Sequence, residues 1–402
     1  MDNTQAPRGI RTHIALFGKR NAGKSSLINA LTGQDIAIVS DQKGTTTDPV
    51  YKSIELFPLG PCVLIDTAGL DDTGDLGDLR REKSLEVLTR TDIALYVADA
   101  TTGLDADEQD LLRELRAKSI PTLLVWNKSE LGDICPPPPS AFSVSATTGL
   151  GIPELIQALS HQSPSTTKSP GLLEGLVAPG DLVLLVTPID SSAPKGRLIL
   201  PQQQVLRALL EIGAPAMVVQ PEQLTPALSA LGRTPNLVIT DSQVFAKVAA
   251  ELPADIPLTS FSILFARAKG DLAELVQGAR AIAHLQNGDR ILIAEACTHH
   301  RQEDDIGKVK IPRWLRQKTE KELDFDFCAG LSYGTDLSQY ALVVHCGACM
   351  INRAEMLSRI EEARSSGVPI VNYGVLIACV TGILDRVLEP IPNAAKGEAC
   401  HA

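Results

Sequence analysis

Short apolar runs and amphipathic stretches alternate along most of the chain. Residues 14–17 form the first apolar run, followed by a Gly-rich loop and a helical pattern over 25–31. Continuous apolar runs at 63–65, 93–97 and 122–126 have the length of strands covered on both faces, as in parallel sheets. A helical period over 107–118 lies between two of them. Strand and helix in alternation predict a doubly wound, mostly parallel α/β sheet. Ser, Thr, Pro and Gly dominate residues 163–171, which read as a linker. A second α/β region follows, with apolar strands at 182–186, 216–219 and 237–239 and a helix at 202–212. A third begins near Gly270, with strands at 291–294 and 341–344. The late apolar stretch 368–384 is broken by Pro369, Asn372, Gly374 and Gly382, so it reads as a buried strand and helix rather than a membrane span. The pattern thus predicts an α/β protein of three domains: 1–163, a linker at 164–171, 172–269 and 270–402. No internal repeat of short period is evident.

Composition narrows the classes. A chain of 402 residues exceeds one ordinary core, in keeping with several domains. Apolar residues at 44% and charged residues at 21% are ordinary for a soluble globular protein. The formal net charge of -11 argues against sequence-independent nucleic-acid binding, which needs clustered Lys and Arg, so no nucleic-acid partner is expected. The first residues hold no apolar segment of a secretory signal. Eight cysteines then fit thiols or metal ligands in a cytoplasmic protein better than structural disulfides, and no membrane partner is expected.

The strongest chemistry lies at Gly18, Lys19, Arg20, Asn21, Ala22, Gly23, Lys24 and Ser25, which spell G-x-x-x-x-G-K-S/T between a strand and a helix. The glycines let backbone N–H groups close around phosphate oxygens, and the helix start adds a positive dipole end. Lys24 is placed to reach the β- and γ-phosphates and Ser25 to ligate Mg²⁺, with Ser26 beside it. Downstream, Asp66, Thr67, Ala68 and Gly69 follow the run 63–65. Asp66 is suited to hold Mg²⁺ through water and the Gly69 N–H to sense the γ-phosphate. Residues 44–48, Gly-Thr-Thr-Thr-Asp, lie between these motifs as a switch segment should, and Thr46 is the candidate to close on Mg²⁺. Asn127, Lys128, Ser129 and Glu130 end the run 122–126, and Ser145 and Ala146 end the next one.

The set GKRNAGKSS, GTTTD, DTAG, NKSE and SA resembles the translation-factor-related small GTPases of the Era and MnmE type. That resemblance implies GTP or GDP bound with Mg²⁺, guanine contacts from Asn127, Lys128, Glu130, Ser145 and Ala146, and a K⁺ held by Asn21 in place of an arginine finger. One position departs from the pattern: the guanine motif usually ends in Asp and here ends in Glu130. Its two oxygens suit guanine N1–H and N2–H₂, but the extra methylene must be accommodated. Leu70 stands where many GTPases place a water-orienting glutamine, so slow intrinsic hydrolysis is expected. Asp71, Asp72, Asp75 and Asp78 read as a solvated switch loop.

A second constellation lies in the third region. Cys297, Thr298 and His299 follow the strand 291–294, and His345, Cys346, Gly347, Ala348 and Cys349 follow the strand 341–344. Both sets sit just past strand C-termini, where open α/β sheets place ligand sites. Cys349 also opens a helical pattern over 353–364, whose N-terminal dipole is expected to favour thiolates. Three thiols with two or three imidazoles on one edge predict a metal site. Cys62 and Cys379 read as core residues, Cys328 as a bystander, and Cys135 and Cys400 carry no assignment.

A GTPase of this type joined to C-x-H … H-C-x-x-C resembles the [FeFe]-hydrogenase maturation GTPases over nearly the whole chain. The resemblance implies a [4Fe-4S] cluster on Cys297, Cys346 and Cys349, with His299 and His345 as candidate labile ligands. It also implies a homodimer or higher homo-oligomer formed through 172–269, and a scaffold or carrier for a two-iron subcluster. The implied partners are radical-SAM hydrogenase maturases and apo-[FeFe]-hydrogenase. The competing reading is an Era-type ribosome- or RNA-associated GTPase with a structural zinc domain, against which the acidic balance counts.

Overall fold

The computed structural model describes residue 9 and residues 11–33, 49–57, 59–67, 86–118, 120–131, 134–162, 170–189, 198–296, 305–330 and 332–392. The chain divides into two compact units, Met1–Lys168 and Ser169–Ala402. Among the described residues no helix is long and apolar enough to cross a membrane.

The first unit is built on a six-stranded sheet. Its strands are β1 (Thr12–Phe17), β2 (Val50–Leu56), β3 (Gly60–Asp66), β4 (Ile93–Asp99), β5 (Thr122–Asn127) and β6 (Ala141–Ser143), in the order β2-β3-β1-β4-β5-β6. Only β2 runs antiparallel to its neighbour. The central strands β1 and β4 are buried almost throughout, because helices cover both faces, and this is why they read as continuous apolar runs. Alternate residues feed two cores. Ile14, Leu16, Leu64 and Leu95 meet α1 (Lys24–Thr32), while Leu155 and Leu159 of α3 (Ile152–His161) close the same layer. Ala15, Phe17, Ile65 and Tyr96 face Leu112 and Leu115 of α2 (Ala106–Ala117). Asp105 starts α2 with a reciprocal capping box to Glu108, satisfying two backbone donors at once.

The second unit holds two four-stranded sheets, both wholly parallel. β7 (Val183–Val186), β8 (Ala216–Val219), β9 (Leu237–Thr240) and β10 (Leu258–Ser260) are ordered β10-β9-β7-β8. β11 (Arg290–Glu295), β12 (Asp324–Ala329), β13 (Leu342–His345) and β14 (Ile370–Asn372) are ordered β12-β11-β13-β14. Each sheet therefore places its second strand beside the first on one side and its third and fourth on the other. Their connections match as well. The helices α4 (Leu200–Ile212) and α9 (Ile311–Thr319) each carry proline in the first turn, between the first and second strands. Between them in sequence lie α5 (Leu224–Ala230), α6 (Phe245–Glu251), α7 (Phe261–Lys269) and α8 (Leu272–Ala281). The helix α10 (Arg353–Ser365) precedes β14, and α11 (Tyr373–Val380) and α12 (Leu384–Leu388) end the described chain. A polar residue at the end of the fourth strand caps the next helix in both copies. Ser260 accepts from Ile263 N ahead of α7, and Asn372 from Val375 N ahead of α11. The unit is thus one architecture used twice.

The sequence assigns 172–269 and 270–402 to separate domains, and each segment does carry its own sheet. The sheets share a core, however. Leu184, Val186 and Val238 of the first cluster with Ile291, Ile293, Val343 and Val371 of the second, through α8 and α11. Helix α7 approaches α11 so closely that a Cβ at Gly374 would stand 2.1 Å from Ser262 Oγ.

Candidate functional site

In the first unit β1 is followed by Gly18, whose φ of 142° and close neighbour, Val97 O at 2.2 Å from any added Cβ, both require glycine. Asn21 then adopts φ 61°, and Gly23, at φ 91°, starts α1. The loop folds back on itself through Lys24. Its ammonium, nearly buried, donates to Gly18 O at 2.8 Å and Lys19 O at 2.7 Å. Ser25 Oγ donates to Asp66 Oδ2 at 2.6 Å, so the hydroxyl and carboxylate assigned to Mg²⁺ meet at the ends of α1 and β3. Burial pushes the Asp66 carboxyl up, against the pull of Ser25 and Lys24, and a divalent cation there would reverse that cost. Thr67 ties the end of β3 to β1 through Leu16 O at 2.6 Å.

The base-recognition segments converge on this loop. Asn127 Nδ2 donates to Ala22 O at 2.9 Å, and Asn127 Oδ1 accepts from Ala146 N at 3.1 Å, so one amide links the phosphate loop to Ser145 and Ala146. Lys128, at φ 68°, pairs with Asp99 Oδ2 at 2.5 Å. The exposed Glu130 carboxyl is held below its ordinary value by its own backbone N–H, with help from the hydroxyls of Ser145 and Thr147. Ser26 is exposed beside Ser25. Thr46 and its neighbours 44–48, Ala68, Gly69, Leu70 and the aspartates at 71, 72, 75 and 78 lie outside the described residues. The sequence did not single out Lys19, which pairs with Asp105 and lies 3.7 Å from Glu108.

The second site forms at the C-terminal ends of β11 and β13. These are the neighbouring strands from which the chain winds in opposite directions, the crevice position of open α/β sheets. Cys346 N donates to Ala294 O at 2.9 Å, and the buried Cys346 Sγ accepts from Ala296 N at 3.3 Å. Cys297 follows Ala296 directly in the chain; Cys297, His299 and His300 themselves lie outside the described residues. Among the described residues no group of three or more His, Cys, Asp or Glu side chains is gathered as a metal site. The thiols present suit a soft metal or cluster nonetheless: Cys346 is buried, Cys349 half-buried, and both are free.

The dipole expectation for Cys349 is corrected. Helix α10 starts at Arg353, capped by Asn352 accepting from Glu355 N at 3.1 Å, so Cys349 lies in a turn before it. Burial pushes both thiols up, opposed at Cys346 by the N–H groups of Ala296 and Ala348 and at Cys349 by Lys269. His345 is fully enclosed. Its Nδ1 faces Cys346 O at 2.8 Å and its Nε2 faces the Arg359 guanidinium at 2.9 Å. Arginine has only donors, so Nε2 accepts and Nδ1–H donates, and the ring is neutral. Burial, with Arg359 second, pushes its pKa down to about 3. Both ring nitrogens are therefore engaged within the protein. Cys328 lies on the edge strand β12 in register with Ala294, its thiol pushed up by burial.

Beside this second site, two buried cations went unnoticed in the sequence. Arg359 is 3% exposed, donates to Gly330 O as well as to His345, and lies over the Tyr333 ring at 5.4 Å. Lys269, the last residue of α7, donates to the carbonyls of Ala348, Cys349 and Ile351 at 3.3, 3.2 and 2.9 Å.

Comparison with known proteins matches three successive segments of the chain. The family model described as 50S ribosome-binding GTPase matches residues 13–128. That described as Hydrogen maturase F dimerization domain matches 172–270, and Hydrogen maturase F tetramerization domain matches 273–390. The latter two together take in more than half of the chain. Among curated proteins, the tRNA modification GTPase MnmE of Bordetella parapertussis is 40% identical over 149 residues, 37% of this chain and 33% of that protein. The MnmE of Chromobacterium violaceum is 43% identical over 120 residues, 30% of this chain and 26% of that protein. The matched part is thus about a third or less of those relatives' own length. Among solved structures, Era of Aquifex aeolicus bound to GDP·AlF4⁻ matches with a TM-score of 0.30 and 18% identity, over 52% of this chain and 93% of that one.

Proposed function

The chain belongs to the hydrogen maturase F family, and on that premise we propose that it is a cytoplasmic GTP-hydrolysing scaffold that holds a [4Fe-4S] cluster and delivers a two-iron precursor during [FeFe]-hydrogenase maturation. The observation that carries the reading is the union, in one chain, of a phosphate loop closed by Lys24 and Asn127 with a buried Cys346 thiol that accepts from Ala296 N–H, the residue before Cys297 in sequence. Ser25 meets Asp66, which would hold Mg²⁺ through water, Thr46 would complete the set, and Mg²⁺ there would neutralise phosphate charge during hydrolysis. Lys24 would leave its two loop carbonyls for the β- and γ-phosphates. Asn21, already in the left-handed conformation, would present its amide to a K⁺, and the Gly69 N–H would sense the γ-phosphate. With Leu70 where many GTPases place a water-orienting glutamine, the intrinsic rate is expected to be slow. Asn127, Lys128 and Glu130 read the guanine with Ser145 and Ala146.

Cys297, Cys346 and Cys349 would hold the cluster, which supplies an anionic iron–sulfur surface with one corner free of thiolate. The engaged nitrogens of His345 favour His299 or a carboxylate over His345 at that corner. The family models for 172–270 and 273–390 support homo-oligomerisation. Radical-SAM maturases and the apo-hydrogenase are the partners this role requires.

Anaerobic purification with metal analysis tests the reading. Brown protein with about four irons per chain supports it, and colourless protein with about one zinc overturns it in favour of a structural zinc domain. Cys346→Ser should abolish the cluster, while Cys328→Ser should leave iron content and the EPR signal of the reduced protein unchanged. Cluster loss in Cys328→Ser would place a fourth thiolate on iron and close the corner.

A further inference from the structure

Helix α7 belongs to the first sheet of the second unit, yet its last side chain reaches under the cysteine loop of the second sheet. All three N–H bonds of the Lys269 ammonium are matched by three carbonyls of one short segment, Ala348, Cys349 and Ile351. The same segment holds Ala348 at φ 53°, a conformation that a residue with a Cβ keeps only where its surroundings over-determine it. The grip is reciprocal. Arg353, at the start of α10, donates to Ala268 O and Gly270 O, both at 2.9 Å, across the C-terminus of α7. Lys269 is 9% exposed, and among the described residues no carboxylate pairs with it; the Phe265 ring lies 5.5 Å from its ammonium. A buried ammonium without a counter-charge is costly. Thiolates binding a cluster would be that counter-charge.

We propose that Lys269 is a positioning residue of the cysteine site: it anchors the loop 346–351 from below and supplies buried positive charge that offsets an anionic cluster held there. The charge half of this rests on the cluster reading above; the anchor half does not. Two consequences follow. The helix of the segment matched by the dimerization model sets the geometry of the cysteine loop. And the positive charge beside Cys349 stabilises added electrons, so it raises the reduction potential of whatever cluster the thiols hold.

The test uses the full chain, anaerobically reconstituted with iron and sulfide, as wild type, Lys269→Met and Lys269→Arg. Methionine keeps the unbranched length while removing charge and donors; arginine keeps the charge with a different donor geometry. Midpoint potential is read by EPR-monitored titration and cluster lability by iron release to a chelator. Hydrogen exchange of residues 346–352 is read on the metal-free protein. In Lys269→Met the potential should move negative, release should quicken and protection should fall. In Lys269→Arg the potential should stay near wild type while protection falls. Wild-type potential, release and protection in Lys269→Met overturn the proposal. If Lys269→Met does not fold, Lys269→Arg decides, and full wild-type protection in it overturns the anchor. A wild-type chain that takes up no iron sinks the cluster reading and the charge role with it. Exchange on the metal-free protein then still decides the anchor, lowered protection supporting it and unchanged protection overturning it.

Discussion

Replacing Arg359 by methionine should destabilise the second unit by about 2–3 kcal/mol. The guanidinium is enclosed and serves two acceptors, His345 Nε2 at 2.9 Å and Gly330 O. Removing it orphans both, and a buried acceptor left without its donor costs roughly 1–3 kcal/mol. Two such losses give a gross figure of about 2–6 kcal/mol. The lower end is expected, because the guanidinium was itself expensive to bury and its Nε has no hydrogen-bond partner among the described residues. The stacking of the guanidinium over Tyr333 adds a smaller loss of about 0.5–1 kcal/mol. Urea unfolding of the metal-free chain measures the effect. The two tryptophans divide between the units, Trp126 in the first and Trp314 in the second, so a Trp126→Phe background makes fluorescence a reporter of the second unit. With an m-value of about 2–3 kcal/mol per molar urea, the midpoint should fall by roughly 1 M. Arg359→Lys, which keeps the charge but cannot span both acceptors, should fall between. A midpoint for Arg359→Met within error of wild type would refute the reasoning, since it would mean that neither acceptor depends on the guanidinium.

Lys24→Ala should lower GTP hydrolysis by at least about 10²–10³-fold, the usual effect of removing one such charge from a transition state, and wild-type turnover in that variant would contradict the assignment. Hydrolysis should be faster in KCl than in NaCl, and Asn21→Ala should erase the difference; equal wild-type rates in the two salts count against a potassium role for Asn21. Cys62 is wholly enclosed, and burial pushes its thiol up to about 11. At pH 8 it should therefore resist iodoacetamide in the folded chain and react once urea unfolds the first unit, and rapid labelling of folded protein at Cys62 would be the contrary result.

Much of the first unit was legible because its signals are local. The apolar runs of β1, β4 and β5 are continuous because both faces of those strands are covered, and the phosphate loop is one contiguous segment between a strand and a helix. The helices expected at 25–31 and 107–118 occur as Lys24–Thr32 and Ala106–Ala117, displaced only at their ends. The edge strands β2 and β12 were not legible. β2 and β12 mix exposed and half-buried positions, and DFDFCA in β12 alternates charge with aromatic rings instead of forming an apolar run. The duplication in the second unit also escaped notice, since its period spans a whole four-stranded sheet and survives in capping and strand order more than in residue identity.

By itself, then, the sequence determined what neighbouring residues decide together: the phosphate loop, the buried strands and the close spacing of Cys346 and Cys349. Only the tertiary structure decided what residues far apart in the chain do to one another. It set β11 beside β13, so that Ala296 N–H meets the Cys346 thiol. It engaged both nitrogens of His345, which the sequence offered as a ligand, by bringing Arg359 against it. It carried Lys269 from one sheet to the loop of the other. The physical reason is that a hydrogen bond between distant residues depends on how whole helices and sheets cross, and the packing of a shared core settles that crossing; no spacing of residues along the chain encodes it.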